Sequence, residues 1–393
     1  MINKLFESKN VKKITIIALH LGFGGVENVI CSIANMLCEK YEVEVISTYK
    51  LLQKPAFDLD KKVKVKYLLE DLRPNRAELK EAINNKNIFG IFKQCFVSGK
   101  VLFLKKYKLI KEIKKIDANV IITTRYIHNK WVGKYAKKNI IKIAQEHNHH
   151  NCNKKYLKKI VKSLKNIDYL MPASKELKDF YEKILKNKKI VVKYIPHSLG
   201  EFPEQISKLM NQNIIAIGRL SKEKGFPDLI NVYKRIYSLN KNCRLRIIGD
   251  GSEKENLEKL IIEANLLDNI ELCGFKSKAE ISKLMMDSSL YLMTSYTESF
   301  GLVLVEAESY GLPIIAFDSA QGAKEIIRDG KNGFLIKNRD IDKMVEKSDK
   351  VLNDFNLRMK LGECGRKYSE VYRAENISKE WIHFIEGIFR EEK

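Results

Sequence analysis

Two glutamates eight positions apart, Glu298 and Glu306, have the clearest chemical potential in this chain. They bracket a predicted change from loop to helix. Residues 290–293 are typical of a buried strand, and residues 300–310 are typical of a helix that ends at Gly311. Free N–H groups at a helix start attract anions, and carboxylates accept hydrogen bonds from hydroxyl groups. Because two helical turns span ~11 Å, the arrangement predicts a site for a molecule that carries both hydroxyls and phosphate.

A second candidate group consists of two cations, Arg219 and Lys224, in a short loop. The strand predicted to begin near residue 213 ends at Gly218, and the sequence GRLSKEKG starts there. Arg is suited to forked recognition of phosphate, and Lys neutralises charge at one point. The pair therefore favours a phosphate site, and the alternative is two solvated charges in a turn.

The N-terminal half contains a glycine loop, LGFGGVE. Gly24 and Gly25 lie between a predicted strand at 12–20 and a predicted helix at 25–40. The loop is not GxGxxG, so it does not indicate a dinucleotide cofactor. Glu27 follows the glycines, and a charge at a helix start is a fair alternative interpretation of this residue.

Two histidines, His128 and His147, each follow a predicted strand. His147 begins a cluster with His149, His150 and Cys152, but the spacing is too tight for a defined structural zinc site. We therefore expect no bound metal in this segment.

Six short motifs together resemble those of retaining glycosyltransferases of the GT-B fold, family 4 (group 1), of the kind that assembles polysaccharides and lipid-linked glycans. The motifs are GGVE at 24–27, GRLSKEKG at 218–225, IIGDG at 247–251, CGF at 273–275, E-x7-E at 298–306 and NGFL at 332–335. Their order and spacing both fit, and the C-terminal half matches almost throughout. The resemblance implies an α/β fold with two Rossmann-like, doubly wound domains that face a cleft.

The resemblance also implies roles for individual residues. Glu298 would contact the donor sugar, Glu306 would hold the nucleotide ribose, and Arg219 and Lys224 would grip the diphosphate and stabilise the leaving group. Other donor-binding positions would be Gly24, Gly25, Ser299, Phe300, Gly301 and Leu302. A histidine of the first domain would stand beside the donor sugar, and both His147 and His128 are candidates.

The alternation of strands and helices predicts parallel sheets covered by helices. We expect a basic first domain at residues 1–198 and a nucleotide-sugar-binding domain at 199–370. Residues 371–393 would form a helix that crosses back to the first domain, as the resemblance implies.

The net charge of +23 comes from the N-terminal half of the chain. Residues 1–198 contain 42 Lys and Arg against 18 Asp and Glu, whereas residues 199–393 contain 30 against 31. Residues 86–115 contain nine lysines and one glutamate, and a basic amphipathic helix is predicted at 100–116. Anionic bilayers attract such segments, and the basic stretches lack an obvious nucleic-acid motif. We therefore expect an anionic membrane surface, and no nucleic acid, as a partner.

The location of the protein is also an expectation. No run approaches the ~20 apolar residues that span a bilayer, and the first residues lack the features of a signal peptide. The seven scattered cysteines include no CxxC, which indicates reduced thiols. We expect a bacterial cytoplasmic protein, peripheral on the inner face of the cell membrane.

The residues and the resemblance together predict a retaining, metal-independent hexosyltransferase without a cofactor. It would move a hexose or N-acetylhexosamine from a nucleotide-sugar, UDP-linked by family habit, to a lipid-linked or polymer glycan acceptor. The product would be a capsule, exopolysaccharide or teichoic-acid-type polymer. Two alternatives stay open: a nucleotide-sugar epimerase of the same fold, and a non-catalytic protein that binds sugar nucleotides or anionic surfaces.

Overall fold

The computed structural model describes residues 11–151 and 153–391. The first ten residues, on which the expectation about a signal peptide rests, and Cys152 of the histidine cluster lie outside the described residues. The described chain divides into two compact units. Unit 1 contains the residues up to Ala173, residues 178–195 and residues from 378 onward; unit 2 contains residues 174–177 and 196–377.

Unit 1 is built on a parallel sheet of seven strands in the order β3-β2-β1-β4-β5-β6-β7. Its central strands are largely buried and rich in β-branched residues, as expected for strands covered by helices on both faces. The strands are β1 Lys13–Ala18, β2 Glu42–Tyr49, β3 Lys64–Leu69, β4 Val120–Thr123, β5 Ile141–Glu146, β6 Tyr169–Pro172 and β7 Val191–Val192. The helices are α1 Gly25–Leu37, α2 Arg76–Asn84, α3 Ile88–Lys115, α4 Tyr126–Tyr135, α5 Lys154–Ser163 and α6 Lys175–Leu185.

Unit 2 is built on a parallel sheet of six strands in the order β10-β9-β8-β11-β12-β13. The strands are β8 Asn213–Ile217, β9 Arg244–Ile248, β10 Ile270–Gly274, β11 Leu290–Met293, β12 Ile314–Phe317 and β13 Gly333–Ile336. The helices are α7 Phe226–Leu239, α8 Lys254–Glu263, α9 Lys278–Met286, α10 Leu302–Ser309, α11 Gln321–Ile326, α12 Ile341–Asn353 and α13 Phe355–Ser369. Buried residues of these strands and of α7, α8, α12 and α13 form one apolar cluster.

The strand order reverses once in each sheet, between β1 and β4 in unit 1 and between β8 and β11 in unit 2. At such a reversal, the chain continues from the two neighbouring strands to opposite faces of the sheet, and a crevice forms at the carboxyl ends of these strands. The motif loops that follow β8 and β11 therefore lie on the two sides of the same crevice in unit 2.

The last helix, α14 Ala374–Glu391, contributes its residues from 378 onward to unit 1. Its Phe384 ring lies 5.2 Å from that of Tyr169, and its Phe389 ring lies 6.4 Å from that of Tyr41. These edge-on aromatic contacts bury the apolar face that the sequence pattern of this helix predicts.

Helix α3 is longer than the predicted segment 100–116, because it begins at Ile88. The side chain of Asn87 accepts a hydrogen bond from the N–H of Gly90 at 2.8 Å and so caps the earlier start. Among the described residues, no helix combines the length and the apolar content needed to cross a bilayer.

Candidate functional site

The candidate site of unit 2 lies where the strand order reverses. Residues 218–225 follow β8, and residues 294–301 follow β11, its neighbour in the sheet. The fold therefore brings together two loops that the sequence separates. Arg219 and Lys224 come from the first loop, and Glu298 comes from the second.

Lys224 and Glu298 make direct contact. The Nζ atom of Lys224 donates to Oε2 of Glu298 in an ion pair, and both side chains are about one-fifth exposed. Partial burial strengthens such a pair relative to one in open solvent. Both charges nevertheless keep some access to solvent, so a ligand can reach them.

Backbone contacts fix the two loops to each other. The hydroxyl of Thr294 donates to the carbonyl of Gly225 at 2.9 Å, and the N–H of Tyr296 donates to the carbonyl of Glu223 at 2.8 Å. Gly225 has a φ of 63°, and a Cβ atom there would lie 2.2 Å from the carbonyl oxygen of Thr294. Only glycine fits this position, because both the backbone angle and the neighbouring loop exclude a side chain.

Arg219 is exposed and has no ion-pair partner among the residues that the structure describes. Its backbone is nevertheless held in place. The N–H of Gly218 donates to the carbonyl of Ile248, and the N–H of Leu220 donates to the carbonyl of Asp250, each at 2.9 Å. Arg219 is thus a solvent-facing cation on a fixed loop, which suits it to bind an anion.

The start of α10 follows directly after Glu298, Ser299, Phe300 and Gly301. Gly301 has a left-handed φ of 89°, and no side chain caps the helix start at Leu302. The first N–H groups of the helix are therefore open to an anion. The N–H of Gly322 donates to the carbonyl of Glu298 at 2.8 Å, and this hydrogen bond anchors the loop to α11.

Glu306 lies one turn into α10 and is half-buried. Burial raises the pKa of its carboxyl, and the nearby charge of Lys278 only partly opposes this. No group within the described residues hydrogen-bonds to the Glu306 carboxylate. Burial raises the pKa of the Tyr291 hydroxyl, and the charges of Glu298 and Glu306 add to this shift. The two glutamates of the motif therefore lie near the same buried tyrosine.

His197 and Phe300 form an edge-on ring pair with centroids 5.0 Å apart. Burial lowers the pKa of His197 to about 4. The imidazole is therefore neutral at physiological pH, and it contributes an apolar surface behind the loop that precedes α10.

Arg339 is an important residue that the sequence motifs did not reveal. Its guanidinium donates to the carbonyls of Ser295 and Thr294 at 3.1 and 2.9 Å, and to the hydroxyl of Ser319 at 2.8 Å. It also forms an ion pair with Asp228 and lies over the ring of Tyr296 at 3.8 Å. Arg339 therefore positions the loop after β11. It belongs to no motif, so the sequence offered no signal for it.

Asn332 explains why the NGFL motif accompanies the site. Its side chain donates to the carboxylate of Glu308 and accepts from the N–H of Arg328 at 2.7 Å. Glu308 is fully buried on α10, and burial raises its pKa well above the usual range. This pair ties the loop before β13 to α10 and has a structural role.

Unit 1 places Gly24, Gly25 and Glu27 at the end of β1. Glu27 is buried and forms an ion pair with Arg125 at 3.4 Å, and its carboxylate lies 3.5 Å from the Nδ1 atom of His20. A Cβ atom on Gly24 would lie 2.2 Å from the Glu27 carboxylate. The carboxylate thus occupies the space beside Gly24, which gives the GGVE spacing a physical reason.

The two candidate histidines have different surroundings. His128 is fully buried at the start of α4, and neither ring nitrogen makes a hydrogen bond of good geometry. Burial, followed by the charges of Lys105 and Arg125, lowers the pKa of His128 to about 3. His147 follows β5 and is partly exposed.

The residue before His147 is a buried carboxyl, Glu146. It accepts hydrogen bonds from the hydroxyl of Tyr156 and from the N–H of Asn148, each at 2.9 Å. Burial raises the pKa of Glu146 to about 7, although these two hydrogen bonds oppose the shift. The network anchors the histidine-rich loop to β5 and α5.

Comparison with known proteins gives a family match for the C-terminal half of the chain. The family described as glycosyl transferases group 1 matches residues 201–368, which carry all the candidate residues of unit 2. An uncharacterized glycosyltransferase of Haemophilus influenzae is 27% identical over 377 residues, which cover 94% of this chain and 99% of that protein. An exopolysaccharide phosphotransferase of Streptomyces coelicolor is 28% identical over 367 residues, which cover 91% of this chain but only 39% of that protein.

A similar solved structure is that of a TarM mutant from S. aureus in complex with Fondaparinux, alpha-GlcNAc-glycerol and UDP. It has a TM-score of 0.74 and 17% sequence identity, over 95% of this chain and 99% of that chain. At this identity the similarity shows the fold alone. The chain has the GT-B fold, and its residues 201–368 match the group 1 glycosyltransferases.

Proposed function

We propose that this glycosyltransferase transfers a hexose or N-acetylhexosamine from a UDP-sugar to a lipid-linked or polymer glycan acceptor, with retention of configuration. The observation that carries the proposal is the state of Glu306. Its carboxylate is half-buried beside the start of α10, and no described residue hydrogen-bonds to it. A buried carboxylate without a partner is costly, and the two hydroxyls of a ribose would supply the missing donors.

The cations of unit 2 suit the diphosphate of such a donor. Arg219 is exposed on a fixed loop, and Lys224 is held by Glu298. Breaking a sugar–phosphate bond builds negative charge on the departing nucleoside diphosphate, and cations already in position stabilise that charge. The same two residues, with the N–H groups at the start of α10, make a metal ion unnecessary in this proposal.

Glu298 would contact the donor sugar while it keeps its contact with Lys224. No carboxylate of the site stands out as a dedicated nucleophile. We therefore favour a front-side displacement in which the leaving phosphate accepts the proton of the acceptor hydroxyl. His147 is partly exposed and can contact a sugar directly, whereas the fully buried His128 would need a local opening to do so.

The choice of donor and acceptor rests on relatives. The S. aureus TarM mutant was solved with UDP and alpha-GlcNAc-glycerol, and the Streptomyces relative is named for exopolysaccharide. The first supports a UDP-sugar donor, and the second supports a cell-surface polymer as the product.

A direct test measures UDP release from a panel of UDP-sugars, with and without cell-envelope glycans as acceptors, and each reaction is assayed both with and without EDTA. We expect acceptor-stimulated UDP release that EDTA does not abolish. Interconversion of the sugar without UDP release would show an epimerase. Binding of UDP without either reaction would show a non-catalytic protein, and loss of activity in EDTA would contradict metal independence.

A further inference from the structure

Helix α3 has one face that is firmly packed on unit 1. Val101, Leu109 and Ile113 are buried, and Val101 packs against Tyr49 and Leu69 of the sheet. On the same side, the ammonium group of Lys108 donates to the carbonyl of Leu68 at 2.9 Å. This side therefore fixes the orientation of the helix on the sheet.

The opposite face of α3 carries a row of exposed aromatic residues. They are Phe89, Phe92, Phe96, Phe103 and Tyr107, and their exposed fractions lie between 54% and 80%. The spacings of three, four, seven and four residues place them on one side of an α-helix. We call this row the α3 stripe. Single exposed apolar residues are common on proteins, but a contiguous apolar strip marks an interaction site.

Exposed lysines flank the α3 stripe along its whole length. They are Lys93, Lys100, Lys106, Lys111 and Lys114. The one acidic residue of the helix, Glu112, forms an ion pair with Lys66 of β3, so it does not neutralise them. Phe103, Tyr107 and Ile110, with lysines of the last two turns, line a surface groove of ≈ 580 Å³. The groove extends the apolar surface toward the end of the helix.

We propose that the α3 stripe inserts into the headgroup region of an anionic lipid bilayer, while the flanking lysines contact lipid phosphates. A helix with aromatic residues on one side and lysines beside them lies in the plane of a membrane interface. The lysines add attraction to anionic lipids. A second copy of the chain is a poorer occupant, because two facing stripes would bring their lysine rows together and like charges repel.

This inference does not depend on which sugar the enzyme transfers. Membrane binding can be measured without any donor, so its failure and the failure of the proposed reaction are separate results.

The test is co-sedimentation of the full chain with vesicles of phosphatidylglycerol and phosphatidylcholine, and with vesicles of phosphatidylcholine alone. The charge variant is Lys93→Gln, Lys100→Gln, Lys106→Gln and Lys111→Gln. It should bind anionic vesicles on the order of 600-fold more weakly, since each of the four lysines near the surface contributes about fivefold. The aromatic variant is Phe89→Ser, Phe92→Ser and Phe96→Ser. Its affinity for anionic vesicles should fall at least tenfold, and its residual binding should disappear in high salt.

A matched control exists on α5, which carries exposed lysines without an exposed aromatic row. The control variant is Lys155→Gln, Lys158→Gln, Lys159→Gln and Lys162→Gln. It removes the same charge and should retain binding within about fivefold. All the substituted residues of α3 and α5 are exposed. Circular dichroism and the melting temperature verify folding of every variant.

Insertion has its own reporter. Both native tryptophans, Trp131 and Trp381, are buried, so Phe96→Trp adds one exposed indole. Its emission should shift to the blue on anionic vesicles and become protected from acrylamide. Three results would overturn the proposal. The emission spectrum of Phe96→Trp could stay unchanged on anionic vesicles, or the α3 and α5 charge variants could lose the same vesicle affinity. The third is that the wild type forms a dimer and the aromatic variant is a monomer.

Discussion

The ammonium group of Lys224 forms an ion pair with the carboxylate of Glu298, although the two residues lie 74 positions apart in the chain. Each residue comes from a different motif, and the two loops follow strands β8 and β11, which are neighbours in the sheet. The ion pair therefore makes the GRLSKEKG and E-x7-E motifs parts of one site. It also holds Lys224 in place before a ligand arrives, so less ordering is needed on binding.

Replacing Lys224 with Ala should lower the rate of UDP release from the preferred UDP-sugar by roughly 10²–10³-fold, because a preorganised charge at the leaving group is lost. Lys222 provides the matched control. It lies in the same short turn and is exposed, so Lys222→Ala should change the rate less than about threefold. Equal losses in the two variants would mean that only the net charge of the loop matters.

The affinity for UDP should depend on pH through Glu306. Ribose hydroxyls donate to the ionised carboxylate, so the bound state favours deprotonation. Because burial raises the pKa of Glu306, the ionised fraction and the affinity should fall as the pH is lowered through that raised pKa. Calorimetry at several pH values should show a ratio of wild-type to Glu306→Gln affinity that declines toward low pH. A ratio independent of pH would separate Glu306 from the nucleotide.

Gly225→Ala should destabilise unit 2 more than Gly274→Ala. Both glycines have a positive φ, of 63° and 69°, so both substitutions incur the backbone cost of about 1 kcal/mol. A Cβ on Gly225 would also lie 2.2 Å from the Thr294 carbonyl, whereas nothing lies within 4 Å of one on Gly274. We expect the free energy of unfolding, measured with urea, to fall by an additional ~1–3 kcal/mol in Gly225→Ala. Equal losses of unfolding free energy in the two variants would show that the loop at 218–225 moves away from the loop at 294–301 at little cost.

Glu146→Gln should stabilise the protein at alkaline pH relative to the wild type. The pKa of Glu146 is raised to about 7 in the folded state from a usual value of 4.5. The folded state therefore binds more protons than the unfolded chain between these values, and wild-type stability falls as the pH rises from 4.5 through 7. The full effect is on the order of 3 kcal/mol.

Urea unfolding at pH 5, 7 and 9 measures this effect. The difference in unfolding free energy between Glu146→Gln and the wild type should grow in favour of Gln up to about pH 8 and then level off. The Gln side chain keeps an acceptor oxygen for Tyr156 and Asn148 but adds a buried NH2 donor. This change shifts the unfolding free energy of the variant by the same amount at every pH, so it does not change the slope. A difference that is constant with pH would contradict a raised pKa at Glu146.

The sequence predicted the fold class well, because most central strands of both sheets are short, largely apolar segments, as is typical of parallel sheets. The strand at 290–293 has the predicted bounds, and the match of residues 201–368 to group 1 glycosyltransferases confirms the resemblance. Motif order was informative because each motif sits on a loop at the carboxyl end of a strand, where the ligand site of such a sheet lies. The roles of Glu298, Glu306 and both histidines stay predictions.

Residues that act through tertiary contacts could not be predicted. Arg339 lies far along the chain from the loop that it holds, and its contacts depend on where β12 and β13 place it. The α3 stripe was hidden for another reason. The basic segment was recognised, but an apolar residue in a helical pattern is usually buried, and only the structure shows that Phe89, Phe92 and Phe96 face outward while Val101 faces the sheet.

The most direct test of the donor site is calorimetric titration of UDP into the wild type, Glu306→Ala and Glu258→Ala, at one pH and salt concentration. Glu258 is an exposed glutamate on α8 of the same unit and controls for loss of charge. We predict that UDP binds the wild type and Glu258→Ala equally and binds Glu306→Ala at least tenfold more weakly, as expected when a charged hydrogen-bond partner is removed. Equal UDP affinity in all three proteins, or no UDP binding to the wild type, would contradict the account.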